Sequence, residues 1–109
     1  MKEINLSMSA LGHKESDFKD FTFWLQENRH SVVKLQLAYN DLKAGDLVLL
    51  FTALGEDSKI EELDVSDNAL GISGAECVAN WIEKNKTLFF LQLENCKIGC
   101  ASSEGWRVQ

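Results

Sequence analysis

The chain carries a pattern that returns every twenty-eight residues, and few folds accommodate one. Val32-x-x-Leu35-x-Leu37-x-x-Asn40-x-Leu42 is followed by Ile60-x-x-Leu63-x-Val65-x-x-Asn68-x-Leu70, and then by Leu88-x-x-Leu91-x-Leu93-x-x-Cys96-x-Ile98. A fainter copy opens the chain, Met1-x-x-Ile4-x-Leu6-x-x-Ser9-x-Leu11, with its start thirty-one residues before Val32. The first unit therefore carries three extra residues and has Ser9 where later copies have Asn or Cys. A unit this short cannot bury its own apolar face. Successive units must stack, and the stack shares one continuous core.

Each unit reads as a short strand followed by a helix. The alternating pairs Leu35/Leu37, Leu63/Val65 and Leu91/Leu93 point to one face of a strand, as a period of two requires. Asn40, Asn68 and Cys96 fall where the strand turns away, and their side chains can bond backbone groups that the turn leaves unpaired. Leu47, Leu50, Phe51 and Leu54 form a helical stripe, and Ala75, Val78, Ala79 and Ile82 form another. Phe18, Phe21, Thr22 and Leu25 supply the stripe of the first unit. Ser73 with Glu76 reads as a capping box, and Ser16 as the N-cap of the first helix.

The run from Gly74 to Leu93, Gly-Ala-x-x-x-Ala-x-x-Ile-x-x-Asn-x-x-Leu-x-x-Leu-x-Leu, resembles the ribonuclease-inhibitor type of leucine-rich repeat. The resemblance covers residues 1–98 and is sharpest from Val32 to Ile98. It implies an α/β solenoid of right-handed strand–helix units, with a parallel sheet on the concave face and helices on the convex face. Residues 1–98 are expected to form the repeat domain, with units starting near residues 1, 32, 60 and 88. Residues 99–109 are expected to be a C-terminal tail without a helical stripe. Either Trp106 and Val108 fold back as a cap, or the last unit pairs with another copy, or the chain continues a longer array. The corresponding expectation for assembly is a monomer, or a weak homodimer through the C-terminal unit.

Composition narrows the function. The formal net charge is −6, with 17 acidic against 11 basic side chains, which disfavours nucleic acid and anionic membranes and favours basic partners. No apolar run is long enough to span a membrane, and the start lacks a secretory signal. Cys77, Cys96 and Cys100 are too few and too irregularly spaced for a disulfide framework, so reduced thiols in the cytoplasm are expected. The sequons at Asn5 and Asn85 are chance matches under that reading. Asp64-x-Ser66-x-Asn68 opens like a calcium loop. It has Ala69 and Ala75 where such a loop needs glycine and glutamate. Cys96-x-x-x-Cys100 falls short of a zinc site. His13 and His30 are expected on the surface. No cofactor, metal site or catalytic constellation is expected.

What remains is recognition of a protein or peptide. Side chains flanking the inward leucines line up across the sheet in columns: Glu3, Lys34, Glu62, Phe90; then Asn5, Gln36, Asp64, Gln92; then Ser7, Ala38, Ser66, Glu94; and nearer the turn Met8, Tyr39, Asp67, Asn95. Lys34, Gln36, Tyr39, Glu62, Asp64, Asp67, Phe90, Gln92 and Glu94 are the candidate contact residues. Tyr39 beside Asp64 and Asp67 is placed to seat a basic side chain. On the convex side Trp24 and Trp81 share a helical column. They either bracket an apolar groove over the middle helix or pack between neighbouring helices, which are also expected to cover Val48 and Leu49. The leading expectation is a non-catalytic interaction module. The alternatives are a regulator of a partner enzyme such as a small GTPase, in the manner of RanGAP proteins, and a structural block of a longer repeat protein.

Overall fold

The computed structural model describes residues 2–97 together with the backbone of residues 106–108. The order of elements is β1 (Lys2–Asn5), α1 (Glu15–Asn28), β2 (Val32–Gln36), α2 (Ala44–Leu54), β3 (Glu62–Asp64), α3 (Gly71–Lys84), β4 (Phe90–Leu93) and β5 (Trp106–Val108). β1 to β4 pair in sequence order and all in parallel, each joined to the next through a helix. Val32, Leu35, Leu37, Ile60, Leu63, Val65, Leu91 and Leu93 are buried, together with Leu47, Leu50, Phe51 and Leu54 of α2. One core thus runs between the sheet and the helix layer. α2 touches α1 on one side and α3 on the other. Among the described residues, the middle unit is the only one with a helix against each side of its own.

Two helix starts differ from the sequence expectation. α1 begins at Glu15 after Lys14, so Ser16 lies inside the first turn and does not cap it. α3 begins at Gly71, two residues before Ser73. Gly71 has φ +68°, a backbone conformation open mainly to glycine, and it lets the chain turn into the helix directly after the buried Leu70. The N–H groups of Leu70 and Gly71 then both donate to the Cys96 carbonyl. In α2 the carboxylate of Asp46 accepts the N–H of Lys43 at 2.9 Å, so the helix start is closed by its third residue. The three extra residues of the first unit are spent around α1. Phe18 follows Leu11 by seven positions where Leu47 follows Leu42 by five, and one more residue is added between Leu25 and Val32.

The expected stripe of α3 is also shifted. Gly74, Ala75, Val78 and Trp81 are its buried residues, Ile82 is half-buried and Ala79 is exposed. Ala79 faces away from the helix that covers its neighbours, and among the described residues no helix follows α3. Leu49 is half-buried against the core, whereas Val48 is 55% exposed, so the neighbouring helices do not cover it. β5 runs antiparallel beside β4, with Leu93 opposite Trp106, Gln92 opposite Arg107 and Leu91 opposite Val108. The backbone edge of β4 is therefore taken by the chain's own C-terminal strand. The rest of the expected tail, with Cys100, lies outside the described residues.

Candidate functional site

The ladder beneath the sheet's turns sets the geometry of everything above it. Asn68 is fully enclosed. Its Oδ1 accepts the N–H groups of Asn40 and Leu42, each at 2.9 Å, and its Nδ2 donates to the carbonyls of Leu37, Val65 and Ser66 at 3.0–3.1 Å. Asn40 repeats the arrangement one unit earlier, accepting from Ser9 and Leu11 and donating to Leu6 and Ala38. Cys96 closes the series with a thiol that donates to the Val65 carbonyl at 3.3 Å. Burial pushes that thiol's pKa up, which keeps it protonated and available as a donor. Each rung joins two units, and the sheet's face is held by side chains that water does not reach.

The residues on either side of the ladder adopt an unusual backbone. Met8, Tyr39, Asp67 and Asn95 have φ of +56 to +58°, and Ala10, Asp41 and Lys97 have +55 to +56°. This left-handed region costs most side chains energy and suits Asn and Asp best. The strain persists because the ladder over-determines the turn. Asn95, outside the ladder, occupies one of these positions and donates its amide to Asp67 at 2.9 Å.

The register reproduces the sequence columns strand by strand. Glu3, Lys34, Glu62 and Phe90 are successive partners, as are Asn5, Gln36, Asp64 and Gln92. Lys34, Gln36, Glu62, Asp64, Phe90 and Gln92 line one cleft of about 180 Å³ whose floor is Leu35 and Leu63. Phe90 is its aromatic, 43% exposed. In the third column Ser66 is buried, and its hydroxyl accepts the Glu94 N–H at 3.1 Å while the Glu94 side chain stays exposed. Tyr39, 60% exposed, and Asp67 belong to the turn ridge beyond the cleft. The two carboxylates expected to flank Tyr39 each have one oxygen engaged. Asp64 accepts the Ser66 N–H at 2.9 Å, and Asp67 accepts from Asn95. The register also brings in a residue that the column pattern missed, since Arg107 stands opposite Gln92 on β5. The twenty-eight-residue period stops before it, and its antiparallel return leaves no repeat signal.

On the helix side the two tryptophans do not form one patch. Trp81 is only 7% exposed, stacks on Phe51 with ring centroids 4.6 Å apart, and donates its indole N–H to the Gly55 carbonyl. It fills the seam between α2 and α3. Trp24 is 38% exposed, stacks on Phe21 of its own helix, and carries the Lys2 ammonium 5.6 Å from its ring. Both histidines are exposed, but each has an acidic neighbour that the sequence did not suggest. His13 contacts Asp41, and His30 shares Asp57 with Arg29 at 2.9 Å. Among the described residues no group of His, Cys, Asp or Glu is arranged to hold a metal ion. No described helix is long and apolar enough to cross a membrane.

A family model for the leucine-rich repeat matches residues 56–79, the stretch from the end of α2 through β3 and Asn68 into α3. That match supports a place among leucine-rich-repeat proteins, and it falls on the unit whose ladder residue is most completely bonded. No protein in the curated set matches the chain.

Proposed function

We propose that this protein is a non-catalytic interaction module, built as a solenoid of ribonuclease-inhibitor-type repeats, that binds a protein partner on the sheet face opposite its helices. Leucine-rich-repeat domains generally mediate protein–protein interaction, and the reading extends that habit to a particular surface. The observation that carries it is the register. Three parallel strands, β2 to β4, present Lys34, Glu62 and Phe90, and Gln36, Asp64 and Gln92, as adjoining rows over a buried floor. A face so fixed loses little conformational freedom on binding, which favours affinity. The cytoplasm is the compartment that fits the unpaired thiols of Cys77 and Cys96.

The test is capture from cell extract with the intact chain and with Gln36→Trp, which fills the cleft without changing charge. The expected outcome is loss of the captured protein with the melting temperature unchanged. Capture that survives Gln36→Trp and disappears with Val48→Lys, on the exposed flank of α2, places the partner on the helix side and refutes the reading.

A further inference from the structure

Resting on that reading of the sheet face, we propose that its partner is a basic, extended segment of another protein, with one arginine seated on the Phe90 ring beside Glu62 and Asp64. Two separate features of the face lead there. The first is charge. The sixteen column positions hold five carboxylates (Glu3, Glu62, Asp64, Asp67 and Glu94) and a single lysine, Lys34, with Arg107 of β5 in register beyond Gln92, so acids outnumber bases across the face. None of the five enters an ion pair among the described residues. The engaged oxygens of Asp64 and Asp67 take only N–H donors, a backbone amide and an asparagine amide. The second is the aromatic. Phe90 stands in register beside Glu62, on the next strand about 4.8 Å away. It is part-exposed in a cleft whose other walls are polar. An aromatic face beside a carboxylate suits a guanidinium, which stacks on the ring and offers its edge to the acid. Lysine fits less well, since its ammonium has no plane to stack.

The seat lies on β3 and β4 because of Lys34. The first column places that ammonium between Glu3 and Glu62, so the β2 end of the cleft is the least acidic part of the face. An incoming cation is drawn to the side where Glu62 and Asp64 share the cleft with Phe90. An extended chain crossing the strands passes side chains at about 6.6–7 Å intervals on one face. Successive basic residues of such a segment therefore meet different strands.

The experiment titrates the intact protein with hexa-arginine, hexalysine and hexaglutamate peptides at low salt, read by calorimetry. Hexa-arginine is expected to bind, hexalysine several-fold more weakly, and hexaglutamate not at all. Glu62→Gln combined with Asp64→Asn is expected to weaken hexa-arginine roughly tenfold, as charge-assisted contacts are lost. The Asn side chain retains the acceptor for the Ser66 N–H, so folding is preserved. Phe90→Leu is expected to weaken hexa-arginine about three- to fivefold and to remove its advantage over hexalysine. Glu15→Gln combined with Asp17→Asn, in the first turn of α1, changes the net charge equally and is expected to leave binding unchanged. Equal loss from the α1 pair and the cleft pair means diffuse polyelectrolyte attraction and overturns the proposal, as does an unchanged affinity in Phe90→Leu. A protein captured through the Gln36-lined cleft by a chain that ignores hexa-arginine refutes the basic partner and leaves the binding face intact.

Discussion

Replacing Asn68 by alanine tests whether the ladder holds the units together. The substitution removes one acceptor shared by the N–H groups of Asn40 and Leu42, and one amide that serves the carbonyls of Leu37, Val65 and Ser66. Asn40 and Leu42 are both fully buried, so water does not replace the lost acceptor. A buried unsatisfied donor costs about 1–3 kcal/mol, and two of them bracket a loss of about 2–6 kcal/mol. Some closing of the turn brings the expected figure to about 3 kcal/mol. For a domain of this size that lowers the melting temperature by roughly 12–24 °C. Asn68→Asp separates the two halves of the side chain. It keeps the acceptor but turns a carboxylate toward three carbonyl oxygens, which raises its folded pKa above the unfolded value. Its deficit is therefore largest near neutrality and shrinks as pH falls and the carboxyl protonates. Asn95→Ala is the control, losing one exposed hydrogen bond and a favourable residue for φ +56°, worth about 1 kcal/mol. Urea melts of the three variants measure all of this. An Asn68→Ala variant no less stable than Asn95→Ala would refute the ladder argument.

Trp81→Ala empties the seam between α2 and α3 and is expected to cost about 3–5 kcal/mol, whereas Trp24→Ala is expected to cost under about 1.5 kcal/mol. Equal melting temperatures for the two would mean that Trp81 is not packed on Phe51. Asp57 is held well below the ordinary carboxylate range, chiefly by the Arg29 guanidinium and then by His30. Because its folded pKa is depressed, the pairing adds stability above the usual aspartate pKa, and that stability is lost as pH falls toward the folded value. A side-chain carboxyl titration by NMR is expected to place Asp57 as the most acidic aspartate and to return it toward normal in Arg29→Gln. An ordinary titration in the intact protein is the contrary result.

How much of this was legible follows from the direction in which the sequence is read. Along the chain, the twenty-eight-residue period gave the strands, the buried pairs, the ladder and the columns, because each depends on one residue's place within a unit. The left-handed turns were not legible. Tyr39 and Met8 are poor residues for φ +57°, and they adopt it where Asn68 holds the chain on either side of Tyr39 and Asn40 does the same for Met8. The start of α3 was misplaced for the converse reason. Ser73 with Glu76 is a sound local cap, but burial of Leu70 and the freedom of Gly71 at φ +68° outweigh it.

The interactions that went unseen run across the units rather than along them. Arg29 with Asp57, His13 with Asp41, Asp67 with Asn95, and the Ser66 hydroxyl with the Glu94 N–H all join residues twenty-eight apart. In a stack of equal units, one period is the step between lateral neighbours. A charge and its opposite at that spacing are then as near in space as i and i+4 on a helix. Arg29 and Asp57 were thus readable from sequence by the same rule that found the leucines. Arg107 was not, because β5 joins the sheet antiparallel and outside the period. Its place opposite Gln92 depends on the chain reversing after the last unit, and nothing in a periodic signal encodes its own termination.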